Sequence, residues 1–188
     1  VSDSNLFDVT VSAGAPPGTY DIEVAQLATA QRLASGAFAD GRTSSVGTGT
    51  LTITAGTKTF SVTLDETTGT LTGIRDAINK AADNIGVTAT IVDEVGGSRL
   101  LLTGDNTGAA NAFTVSTTDG DGGLAQLTYD PNAGANPMTR QREAVDAHIK
   151  IAGFDRYSAT NLVTDVVEGV NIDLKATGAA GYKVNLTV

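Results

Sequence analysis

Apolar and polar residues alternate through most of this chain, and a period of two is the pattern of strands buried on one face. Phe7, Val9 and Val11 alternate with polar neighbours, as do Tyr20, Ile22 and Val24. Between them Ala15-Pro16-Pro17-Gly18 makes a turn, because proline presets φ and glycine frees the exit. Residues 6–11 and 19–25 therefore read as a hairpin. Leu51, Ile53 and Ala55, the turn Gly56-Thr57-Lys58, then Phe60, Val62 and Leu64 read as a second hairpin. Val87, Ala89 and Ile91 continue the pattern, followed by Leu100 with Leu102 and Phe113 with Val115. Near the end it returns in Val145, Ala147, Ile149 and Ile151, in Val170, Ile172 and Leu174, and in Tyr182, Val184, Leu186 and Val188. Ala25 to Ser35 fits a helix and a continued strand equally well. Asn161 to Val167 reads as a short helix or turn capped by Thr160 or Asn161.

One segment departs from alternation. Leu71, Ile74, Ile78, Ala81 and Ile85 are spaced 3, 4, 3 and 4 apart, which places them on one face of a helix. Thr70 or Thr72 is expected to cap its start, and Gly86 stands where a left-handed residue would close it. A helix with one apolar stripe most simply covers one face of the sheet built from the strands around it.

Two stretches punctuate this order. Residues 36–49 are rich in Gly, Ser and Thr, and residues 116–139 in Asp, Gly, Asn and Pro; both read as loops. Domain boundaries fall in such stretches. The expected organisation is a discontinuous β domain, residues 1–40 and 140–188, with residues 41–139 inserted as a β-β-α-β-β-β domain. The fold class is mainly β within α+β: two domains of antiparallel strands, the inserted one with a single amphipathic helix packed on its sheet. No fixed-period repeat points to a solenoid.

Composition narrows the function classes. The 188 residues include no Cys, so disulfides, thiolate nucleophiles and zinc–cysteine sites are excluded. Apolar residues make up 40% and there are 4 prolines, which does not fit a disordered linker. No apolar run approaches the length of a membrane span. The first ten residues carry Asp3 and Asp8 and no apolar core, so no secretory signal is visible, and a start at Val1 reads as a fragment or processed product. Net charge is −9. Residues 41–139 hold 10 acids and 5 bases, the rest 11 acids and 7 bases. The acidity is dispersed and no basic patch is expected beneath it, which argues against nucleic acid and anionic membranes as partners.

Catalytic constellations are sparse. His148 is the sole histidine and falls on the outward phase of its strand, a residue facing solvent or a neighbour rather than a base or ligand. No G-x-S-x-G or phosphate-loop motif is present, and Gly47-Thr48-Gly49 has Thr52 where a dinucleotide loop needs its third glycine. Asp119, Asp121 and Asp130 match positions 1, 3 and 12 of a calcium loop, but Gly123 and Leu124 stand where a ligand and a glycine are required. Asp65-Glu66, Asp76 and Asp93-Glu94 read as solvated acids. Phe7, Tyr20, Phe60, Phe113 and Tyr182 lie in the apolar phase of strands and are expected in cores, which leaves few aromatics to hold a sugar ring. No catalytic, cofactor or metal residue is therefore assigned, and no enzyme activity is expected.

Three segments carry a family resemblance. Gly18-Thr19-Tyr20-Asp21-Ile22-Glu23-Val24-Ala25-Gln26-Leu27-Ala28, running on to Gln31, resembles the G-x-Y-x-I-x-V-x-x-L-A-x-x-Q signature of the flagellar hook-associated protein 2 family, the filament cap proteins. Gly49 to Val115, with Ile74-Arg75-Asp76-Ala77-Ile78-Asn79 and Arg99-Leu100-Leu101-Leu102-Thr103, is similar to the hook-associated IN motif. Ala147 to Gly153, Thr160-Asn161 and Asp165 to Leu174 resemble the stretch before that family's C-terminal domain, with Thr160 where the family usually has Ser. The three follow family order and cover nearly the whole chain, but only its two outer head domains; the helical leg and anchor segments lie outside the resemblance. It implies a structural role in a ring-shaped cap at the filament tip, with other cap subunits and flagellin as partners and no cofactor. It also implies an extracellular location reached by the flagellar type III route. A second reading is an adhesin-like module gripping host mucin, another surface glycan or a protein through loops 104–111 or 119–137.

Overall fold

A computed structural model of the chain describes residues 3–188. In chain order the strands are β1 (Phe7–Val11), β2 (Thr19–Gln26), β3 (Arg32–Ala34), β4 (Gly49–Ala55) and β5 (Lys58–Leu64). The helix α1 (Leu71–Lys80) follows, then β6 (Val87–Glu94), β7 (Gly97–Gly104), β8 (Phe113–Thr118) and β9 (Thr139–Arg142). The last five are β10 (Ala147–Ile151), β11 (Phe154–Ser158), β12 (Leu162–Val167), β13 (Val170–Leu174) and β14 (Val184–Thr187). The described strands pair antiparallel, so the chain is mainly β with one α-helix.

Two compact units form. One runs to Thr29 and takes in Thr107–Ala109 and Ala144–Val188; the other is Ala30–Asn106 with Ala110–Glu143. These limits differ from the expected 1–40, 41–139 and 140–188. Residues 30–40 and 140–143 fall in the second unit because β3 pairs with β7 on one side and β9 on the other.

The first unit has two sheets, ordered β1-β13-β12 and β11-β10-β2-β14. They share one core, in which Phe7, Ile172 and Val163 meet Ile22, Ile149 and Val184. The expected β1–β2 hairpin does not form. β1 pairs with β13, from Phe7 opposite Leu174 to Val11 opposite Val170, while β2 lies between β10 and β14. The Ala15–Gly18 turn therefore carries the chain from one sheet to the other, and the apolar faces of β1 and β2 meet in the core instead of side by side. Residues 162–167 are a strand, not a helix. A register shift between Val163 and Val167, with Asp165 at φ 47, inserts extra residues against β13 and disrupts the alternation.

The second unit also has two sheets, β6-β7-β3-β9 and β5-β4-β8, where a single sheet was expected. Helix α1 packs against β6 and β5, an edge strand of each, so buried Leu71, Ile74 and Ile78 close one side of a core shared by both sheets. Thr70 Oγ1 accepts the Gly73 N–H at 3.1 Å and caps the start. The helix stops at Lys80, short of the stripe's end at Ile85. Asn84 is the reason: its Nδ2 donates to the Ile78 carbonyl at 2.9 Å, and its Oδ1 accepts the N–H groups of Gly86 and Val87. Gly86 is left-handed, φ 96, but it sits in the turn into β6 rather than at the helix end.

The expected loop 116–139 is largely built. A 3-10 turn at Gly123–Leu127 buries Leu124 and Leu127, Tyr129 bridges Val115, and Met138 is buried just before β9.

Candidate functional site

In the first unit, His148 on β10 sits opposite Tyr157 on β11, and the rings stack with centroids 4.4 Å apart. Its Nε2 lies 2.7 Å from Asp155 Oδ1, and that hydrogen bond holds the Asp155 carboxyl below the usual aspartate range. Histidine and acid thus tie two neighbouring strands together. Phe154 (76% exposed), Tyr157 and Leu162 are exposed large side chains on β11 and β12, each strand at the edge of its sheet. Tyr182, expected in the core, is also exposed because it precedes β14, and Tyr20 is only half-buried, whereas Phe7, Phe60 and Phe113 are buried.

The acids singled out from the sequence serve turns and ion pairs. Asp121 Oδ1 accepts the N–H of Gly123 at 2.9 Å and of Thr48 at 3.0 Å, which lowers its pKa and pins the acidic loop to the residues before β4. Asp130 Oδ1 accepts the Asn132 N–H at 2.9 Å. Asp65 Oδ1 accepts both hydroxyls and both N–H groups of Thr67 and Thr68. Arg75 pairs with Asp76, Arg42 with Asp93 and Arg99 with Glu94. Among the described residues no group of three or more acid or histidine side chains is placed to hold a metal ion.

The loops offered as glycan-gripping surfaces are anchored. Thr107 Oγ1 donates to the Ala159 carbonyl at 2.7 Å, and the Ala109 N–H donates to Asp146 Oδ1 at 2.8 Å. In the other loop, Leu124, Leu127 and Tyr129 are buried and Asp121 is bonded, while residues 119–122, 125–126 and most of 130–137 are exposed.

A basic face was not anticipated. β6, β7 and β3 turn Ala89, Leu100, Leu102 and Leu33 into the core and present Val92, Arg99, Leu101 and Arg32 on the opposite side, while β9 is exposed along its length. Arg142 on β9 is directly paired with Arg32 on β3. The three arginines line a cleft of about 610 Å³ together with Val92, Leu101 and Glu94. The expectation that no basic patch lies under the acidic charge is therefore corrected. Arg32, Arg99 and Arg142 are far apart in sequence, and only the β3–β7 and β3–β9 pairings assemble them.

Comparison with known proteins covers both units. Residues 50–106 match the flagellin hook IN motif, residues 1–31 the flagellar hook-associated protein 2 N-terminus, and residues 144–188 its C-terminus. The B-type flagellar hook-associated protein 2 of Pseudomonas aeruginosa PAO1 is 38% identical over 100% of this chain. The chain spans 42% of that relative's length. The crystal structure of FliD (HAP2) from Pseudomonas aeruginosa PAO1 is 36% identical and superposes with a TM-score of 0.86, covering 98% of this chain and 85% of that one. The D2-D3 domains of the flagellar cap protein FliD from Escherichia coli give a TM-score of 0.89 at 29% identity, covering 100% of this chain and 95% of that one.

Proposed function

The chain belongs to the flagellar hook-associated protein 2 family, and on that premise we propose that it forms the head of a bacterial flagellar filament cap. The carrying observation is that both compact units together correspond to the D2-D3 domains of a protein named as a flagellar cap protein, over 100% of this chain. The proposed role is structural and non-enzymatic. The head helps flagellin fold and assemble at the filament tip, outside the cell, within a ring of cap subunits. Features of the chain suit such work. Each unit is a β core closed on two sheets, His148 and the turn acids are engaged in holding strands and loops, and the edge strands β11 and β12 expose the large side chains Phe154, Tyr157 and Leu162.

The test is complementation. A strain lacking its own hook-associated protein 2 is given the full-length protein with or without these two units. Motility with the intact protein, and flagellin lost to the medium when the units are deleted, is the expected result. Equal motility from both forms would refute a role for the head in filament assembly.

A further inference from the structure

We infer that the cleft on the outer face of the β6-β7-β3-β9 sheet binds an extended acidic peptide of a partner protein, whether or not the chain acts as a cap. Arg32 and Arg142 make the recognition element. Arg32 Nε donates to Thr103 Oγ1 at 3.3 Å and Arg142 Nε to the Ala30 carbonyl at 2.7 Å. Each guanidinium is thus held by its inner nitrogen. Neither forms an ion pair with a carboxylate among the described residues, although acids outnumber bases 21 to 12 in the chain. Two adjacent arginines with free outer nitrogens present the planar forks that grip carboxylates in a bidentate manner.

The rest of the cleft selects among anions. Arg99 is already engaged by Glu94 and by the Ser35 carbonyl, so the far end is neutralised. Glu94 on that rim and the net charge of −9 oppose a dense polyanion such as nucleic acid or a sulfated polysaccharide. Between the two ends lie Ala34 and Leu101, which face each other across β3 and β7. Ala34 is two residues along β3 from Arg32, one repeat of an extended chain. An occupant running along β3 would therefore place its carboxylates against Arg32 and Arg142 and an apolar side chain two residues on, toward Leu101.

Fluorescence polarisation tests this with a labelled octapeptide carrying two glutamates at alternate positions, so that both face the cleft, and a leucine two residues beyond the second, beside the same peptide with glutamines. The glutamate peptide should bind and weaken with added salt, and the glutamine peptide should bind at least tenfold more weakly. Arg32→Gln and Arg142→Gln should each lower affinity by about tenfold. Val92→Glu changes an exposed residue of the cleft wall, so folding is preserved and added negative charge should weaken binding likewise. No binding at millimolar protein, equal binding of both peptides, or unaltered affinity in Val92→Glu would overturn the inference. So would a heparin fragment that binds more tightly than the peptide and displaces it.

Discussion

The side-chain amide of Gln31 grips the backbone of Phe113 at both ends. Its Nε2 donates to the Phe113 carbonyl at 2.9 Å and its Oε1 accepts the Phe113 N–H at 2.7 Å. Gln31 is 2% exposed. A side chain here replaces one rung of a β-ladder and fixes the start of β8 beside β3. Buried backbone groups require partners, and this pair takes both from one residue.

Gln31→Leu keeps the volume but leaves a buried N–H and C=O unpaired. A loss on the order of 2–4 kcal/mol is expected. Urea unfolding of the variant checks it; a midpoint equal to the wild type would show that the clamp is dispensable.

Ile78→Asp places a carboxylate on the fully buried stripe of α1, between the two sheets of the second unit. Burial of an unpaired charge should cost about 3–5 kcal/mol. An unchanged melting temperature would be incompatible with the helix packing described.

Gly120→Ala adds a methyl group at φ 78 that would overlap the Thr48 carbonyl oxygen, which backbone alone can relieve. About 2 kcal/mol should be lost. Gly86→Val, at φ 96 but with a Cβ meeting only side chains, the Asn106 nitrogen at 3.1 Å and Asp105 atoms at 3.8 Å, should lose less. Calorimetry of both variants tests the order.

Asp65 carries a pH dependence. Hydrogen bonds from the Thr67 and Thr68 hydroxyls, then from their N–H groups, hold its carboxyl far below the usual aspartate range. A depressed folded-state pKa gives stability that is complete above the unfolded value, about 3.9, and is lost as pH falls toward the folded one. Asp65→Asn should melt lower than wild type at pH 7, and the gap should narrow steadily below pH of about 4. Parallel melting curves across that range would contradict the assignment.

Much of this was legible along the chain. Alternation located most strands and the buried phase of β4, β5, β7 and β13, because neighbouring residues of a strand point to opposite faces whatever it pairs with. Helix α1 was legible for the same local reason, and its cap as Thr70 or Thr72, of which the structure uses Thr70. Segment 162–167 was not, since a bulge removes the period that identifies a strand. The helix end was hidden too, because Asn84 stops it by a side-chain contact that the apolar stripe does not reveal.

The candidate surfaces were the least legible. His148 was placed outward, but its stacking on Tyr157 and its bond to Asp155 depend on β10 pairing with β11. Arg32, Arg99 and Arg142 gave no charge run to detect.

The sequence by itself determined which residues are buried in most strands, the single helix, and through three ordered segments the family. Only the tertiary structure decided that β1 leaves β2 for β13, that the strands of the second unit split into two sheets, and that arginines from β3, β7 and β9 share one cleft. Side-chain phase is a local property of an extended backbone. Strand partnership is a long-range one, set by which edges and apolar faces satisfy each other once the chain has closed on itself.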